Sequence, residues 1–127
     1  MKVVLDTSAL LFWTLDPERL SAAAAKAIEQ STEVCVSSIS IWEIALKHQQ
    51  GKLKLPLSPQ NFAQQLETAA RIRILSVDWA TWLESVGLEW AHRDPADRCI
   101  VALARVQGCA LVTSDQQMRR FYPLAIW

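Results

Sequence analysis

Short apolar runs at Lys2 to Leu5, Val34 to Ser37, Ile72 to Val77 and Ala110 to Thr113 alternate with longer segments that carry helical spacing. Runs of this length read as strands covered on both faces, the pattern of a buried parallel sheet. Strands separated by helices build βαβ units, whose right-handed crossovers place helices on both sides of the sheet. The expected fold class is therefore α/β, with a mostly parallel sheet of four to five strands.

Helix starts and stops are marked along the chain. A helical run over Ala9 to Leu15 breaks at Asp16-Pro17, and Ser21 can cap an Ala-rich helix reaching about Gln30. Ser40 is expected to begin a helix that Gly51 ends, and Lys52 to Pro56 forms a connector. Ser58-Pro59 opens a helix to about Ala70, Asp78 caps a Trp-rich helix through Trp90, and Asp94-Pro95 caps one that ends at Gly108. Asp115 to Phe121 reads as a short helix and Leu124 to Trp127 as an edge strand. The length of 127 residues fits one domain over 1–127, and 51% hydrophobic residues can fill a sizeable core.

Several function classes are disfavoured. The start reaches Asp6 too early for a signal peptide and no later run could span a bilayer, so a cytoplasmic protein without a membrane partner is expected. Cys35, Cys99 and Cys109 lie in apolar stretches without metal-ligand spacing and read as reduced thiols. Only His48 and His92 offer imidazoles, and neither has a zinc-like partner. With thirteen basic and thirteen acidic residues, no global charge favours nucleic acid. Setting aside four acids leaves thirteen bases against nine acids, a balance of +4 that permits an RNA partner.

Those four acids are Asp6, Glu43, Asp97 and Asp115, each standing where an apolar run gives way to a helix start. Singly each has an ordinary role. Glu43 completes a capping box with Ser40 and pairs with Lys47, Asp97 follows the cap Asp94, and Asp6 and Asp115 can cap helices. Asp94 with Arg98 and Asp115 with Arg119 have the spacing of helical ion pairs. Their shared location is what these roles leave unexplained, because parallel strands put all their carboxyl ends on one edge. Carboxylates gathered there repel one another unless a divalent ion joins them. All-oxygen ligands suit Mg²⁺ or Mn²⁺, and such a site suits phosphodiester hydrolysis by an activated water.

The chain resembles the PIN-domain ribonucleases, specifically the VapC-type toxins. The resemblance rests on Val4-Leu5-Asp6-Thr7-Ser8-Ala9-Leu10-Leu11, on Ser38-Ile39-Ser40-Ile41-Trp42-Glu43-Ile44-Ala45-Leu46-Lys47 with Gly51-Lys52-Leu53, on His92-Arg93-Asp94-Pro95-Ala96-Asp97-Arg98, and on Leu111-Val112-Thr113-Ser114-Asp115. It implies a Mg²⁺- or Mn²⁺-dependent endoribonuclease with Asp6, Glu43, Asp97 and Asp115 as the acidic quartet. It also implies a homodimer inhibited by a cognate antitoxin. Asp94 is assigned chiefly to capping, while Thr7, Ser8 and Thr113 are candidates to orient metal waters. Ala96 and Ala104 depart from the pattern, standing where similar toxins usually carry a bulky aromatic and a Gln.

Lys47, Lys52, Arg98 and Arg119 are candidate RNA contacts, with His48, Lys54 and Arg120 near the same segments. Trp79, Trp82 and Trp90 suit core packing or a protein interface better than base stacking. Two other readings remain open. A receiver-like phosphoacceptor would want adjacent acids after the first strand and a Lys after the last, which are missing here. A catalytically silent module binding antitoxin or RNA would not need the quartet.

Overall fold

A computed structural model describes residues 1–127. The elements run β1 (Lys2–Leu5), α1 (Thr7–Leu15), a 3₁₀ turn at Pro17–Arg19, α2 (Ala22–Gln30), β2 (Glu33–Ser37), α3 (Ser38–Gln49), α4 (Pro59–Thr68), β3 (Ile72–Leu75), α5 (Trp79–Gly87), α6 (Pro95–Gln107), β4 (Ala110–Val112), α7 (Gln116–Phe121) and β5 (Ala125–Ile126). The five strands form one sheet in the order β3-β2-β1-β4-β5, and every neighbouring pair is parallel. The α/β expectation holds, with the terminal segment serving as the edge strand.

Successive residues of a strand point to opposite faces, and here both faces are apolar. Val3 and Leu5 of β1, Val34 and Val36 of β2, and Val112 of β4 pack with Leu10 of α1, Ile28 of α2, Ile44 of α3 and Phe62 and Leu66 of α4. Val4, Cys35 and Leu111 turn the other way, onto Ile100 to Ala104 of α6 and Met118 and Tyr122 of α7. Full burial on both sides explains why these strands read as unbroken apolar runs. Ala96 and Ala104 are both buried, so their small side chains let α6 lie close to its neighbours.

The order places β2 on one side of β1 and β4 on the other. The direction in which successive strands are added reverses at that point, so the crevice beyond the carboxyl ends of β1 and β4 is the topological switch of the sheet. Asp6 follows β1, and Thr113 to Asp115 follow β4.

Several helix boundaries differ from expectation: α1 starts at Thr7 rather than Ala9, α4 ends at Thr68 rather than about Ala70, and two further shifts follow from single side chains. Helix α3 starts two residues early, because the Ser37 hydroxyl caps it by accepting the Ile39 amide at 3.2 Å. Ser40 is buried inside the helix, and the expected capping box with Glu43 is not formed. Helix α5 stops at Gly87 rather than running to Trp90. The Arg98 guanidinium receives the chain there, donating to the carbonyls of Ser85, Val86, Leu88, Trp90 and His92 at 2.6 to 3.4 Å. A cation set against the carbonyl end of a helix complements the helix dipole.

Candidate functional site

Asp6 is 5% exposed at the end of β1, and both its oxygens are engaged. One accepts the Ala9 amide at 2.7 Å and so caps α1, while the other accepts the Thr113 hydroxyl at 2.5 Å. The same Thr113 oxygen accepts the Asp115 amide at 3.0 Å, so one threonine at the end of β4 ties together the loops bearing two of the acids. Asp115 then caps α7 by accepting the Met118 amide at 2.9 Å. These local bonds follow from short polar side chains at helix starts, which satisfy amides left without helical partners.

Glu43 enters from the second turn of α3. Its Oε1 accepts the Thr7 hydroxyl at 2.5 Å, its Oε2 lies 4.0 Å from the Lys47 ammonium, and Thr7 also lies 2.9 Å from the Ser40 hydroxyl. With no capping box, Glu43 is held by a tertiary bond to α1. Asp97, in the first turn of α6, is bonded to His92 Nε2 at 2.7 Å through Oδ2, and its amide donates to Asp94 at 3.0 Å. Asp94 is thus the cap of α6.

The acids sense one another. Burial pushes the Asp6 carboxyl up to about 6, opposed by its bonds to Thr113 and Ala9 and reinforced by the charges of Asp97 and Asp115. Burial likewise raises Glu43, where the Thr7 and Lys47 contacts act in the lowering direction and Asp97 and Asp94 in the raising direction. Asp97 is raised by burial first, with His92 opposing and Asp94 and Asp115 adding repulsion. Mutual repulsion of this kind reports a common region of negative potential, which a cation relieves.

The donor chemistry fits a hard divalent ion, and the spacing qualifies how. No three of these side chains close around one point at metal-ligand distance. Each is instead held by its own partner: Asp6 by Thr113, Glu43 by Thr7, Asp97 by His92 and Asp115 by the α7 amide. Mg²⁺ accommodates such a set, because it usually keeps several waters and takes only one or two carboxylates directly.

The other sequence candidates fall into different places. Thr7 and Thr113 touch the acids directly, whereas Ser8 is exposed and makes no hydrogen bond to an acid. Lys47 is 50% exposed beside Glu43, and Lys52 and Arg119 are exposed. Arg98 was expected on the RNA path, but its guanidinium is committed to five carbonyls of the last turn of α5 and the loop after it. Neither Asp94 with Arg98 nor Asp115 with Arg119 forms an ion pair. His92 was missed as a partner of Asp97, although it lies in the same short motif segment.

A cavity of about 580 Å³ opens next to this group, lined by Trp90, His92, Arg93, Gln117, Arg120 and Phe121 among others. A second apolar face lies elsewhere: Trp79, Trp82, Leu83 and Val86 share one exposed side of α5, and Trp82 meets Trp42 of α3 in a cleft.

Residues 3–123 match the family model of the PIN domain. The chain is 34% identical over 129 residues to Ribonuclease VapC22 of Mycobacterium tuberculosis, with 98% of each protein covered. Its fold is similar to a toxin-antitoxin complex from Klebsiella pneumoniae, with a TM-score of 0.69, 18% identity and coverage of 98% of this chain and 96% of that one. It is also similar to VapC20 of Mycobacterium tuberculosis, described as a sarcin-ricin loop cleaving toxin, with a TM-score of 0.67, 14% identity and 93% of each chain covered. With that match over nearly its whole length and the acids gathered at the switch of a five-stranded parallel sheet, the chain belongs to the PIN-domain family.

Proposed function

We propose that this chain, as a single domain over residues 1–127, is a Mg²⁺- or Mn²⁺-dependent endoribonuclease that acts as the toxin of a toxin-antitoxin pair. The observation that carries the reading is the shared negative potential of Asp6, Glu43, Asp97 and Asp115 at the switch edge, in a member of a family with a ribonuclease relative. A bound divalent ion would neutralise the carboxylates and activate a water for attack on phosphorus. The chain's own residues supply the placement. Thr113 holds Asp6, Thr7 holds Glu43 and His92 holds Asp97, so three of the four acids are oriented from outside their own helices. Lys47, Lys52 and Arg119 form the path for substrate phosphates, with Arg98 left out because it holds the loop.

An RNA substrate, a cognate antitoxin and a homodimer are the partners of this reading. The exposed apolar face of α5 with Trp42 supports a protein contact, since a contiguous patch of large apolar side chains is unusual on a free surface. Three free cysteines, with burial raising Cys35 and Cys99 to about 11, suit a reducing cytoplasm. No helix is long and apolar enough to cross a membrane.

The test is cleavage of total RNA by the purified chain, with and without Mg²⁺ or Mn²⁺, beside Asp6→Asn and Asp97→Asn. The wild type should cut only with metal and leave 5′-phosphate ends, and each variant should lose activity on the order of 100-fold or more. Equal cleavage by all three proteins sinks the assignment.

A further inference from the structure

We infer that the cleft beside Asp97 is a nucleobase subsite, in which an unpaired RNA base next to the cut phosphodiester extends the ring stack of Trp90, His92 and Phe121 while Arg93 and Arg120 hold its flanking phosphates. The inference rests on the ribonuclease reading and deepens it, by assigning residues outside the acidic quartet to substrate selection.

Position is the first argument. His92 lines the cleft and is bonded to Asp97 at 2.7 Å, so the cleft adjoins the acids directly. Composition is the second. The Trp90 and Phe121 rings stack at 4.8 Å with 11° between planes, and His92 lies 4.7 Å from Trp90. A planar base continues such a stack at low geometric cost, and base-aromatic stacking accepts any base.

Charge is the third argument. Arg93 and Arg120 line the cleft, no acid does, and neither arginine takes part in an ion pair. Free guanidinium groups beside stacked rings suit a nucleotide, which presents a π face and a phosphate together. The Gln117 amide on the same wall offers both a donor and an acceptor to a base edge. The comparable groove by Trp13 and Phe62 differs, because its one cation, Arg71, is spent on the Ile28 and Ser31 carbonyls. A duplex cannot offer an unstacked base, so the ligand class is single-stranded or looped RNA.

The test uses Arg93→Ala/Arg120→Ala, Gln117→Ala and Phe121→Leu, with Lys26→Ala, at an exposed position of α2, as a charge-loss control. Binding of short single-stranded oligoribonucleotides is followed by fluorescence anisotropy in Ca²⁺ across a salt series. Cleavage of total RNA is followed by KM, kcat and sequencing of the cut ends. The double Arg variant should bind about 10-fold more weakly with a salt slope lower by roughly 1 to 2, raising KM with little change in kcat. Gln117→Ala should relax the base preference beside the cut, Phe121→Leu should weaken binding whatever the base, and a melting curve checks that Phe121→Leu is folded. If the wild type cleaves RNA and all these variants match Lys26→Ala in affinity, salt slope and base preference, the subsite is overturned and the ribonuclease reading stands. If the wild type cleaves nothing, that reading falls; weakened binding by the Arg variant still supports a subsite, and unchanged binding overturns it too.

Discussion

The Asp6 carboxylate accepts the Ala9 amide and the Thr113 hydroxyl, yet burial still holds it up at about 6. An unfolded Asp titrates near 3.9, so this group binds its proton more tightly in the folded chain. A raised folded value contributes stability that is fully present below about pH 4 and is lost as pH rises through 6. The shift corresponds to about 3 kcal/mol lost by pH 8 in metal-free protein. Asp6→Asn removes that titration, so in EDTA its stability relative to wild type should improve by up to about 3 kcal/mol between pH 4 and pH 8. Urea unfolding at both pH values checks this, and a relative loss at pH 8 contradicts it. Asp6 and Asp115 were legible in sequence because strand ends and caps are local signals. His92 was not, because its bond to Asp97 depends on how the segment after α5 folds back.

That fold-back belongs to Arg98. One guanidinium satisfies five carbonyls between Ser85 and His92, so the end of α5, the following loop and the start of α6 are joined through a single side chain. Lysine carries its charge on one nitrogen with three donors and cannot reproduce the planar fork. Arg98→Lys should therefore destabilise the chain by about 2 kcal/mol and speed amide exchange through residues 88–94. Unchanged exchange there would show that the loop is held by other contacts. Spacing alone assigned Arg98 to Asp94 and let α5 continue to Trp90, since a long-range carbonyl cage leaves no periodic trace. The same limit moved the start of α3: Ser37 and Ser40 are equally good caps in isolation, and the parallel pairing of β2 decides for Ser37, which is its last residue. Strands β1, β2 and β4 were legible because burial on both faces removes polar residues from their centres, whereas β3 carries the exposed Arg73 in its middle.

Across the whole molecule, formal neutrality hides a separation of charge. Four acids share the edge between β1 and β4, and the remainder of the chain carries the excess of basic groups. The core cannot relieve the repulsion, because both faces of the sheet are filled with apolar side chains. A divalent ion that binds only the folded edge stabilises the entire domain by mass action, about 2.7 kcal/mol at a hundred times its dissociation constant. Protons compete for the same carboxylates, so the gain should be largest near pH 8 and shrink as pH falls through 6, where Asp6 takes up its proton. Thermal melts with Mg²⁺ against NaCl of matched ionic strength separate specific binding from screening. The wild type should gain several degrees in Tm with Mg²⁺ at pH 8 and little at pH 5, and Asp6→Asn and Asp97→Asn should lose most of the gain. Equal stabilisation of wild type and both variants would place the ion elsewhere and separate the raised carboxylates from metal binding.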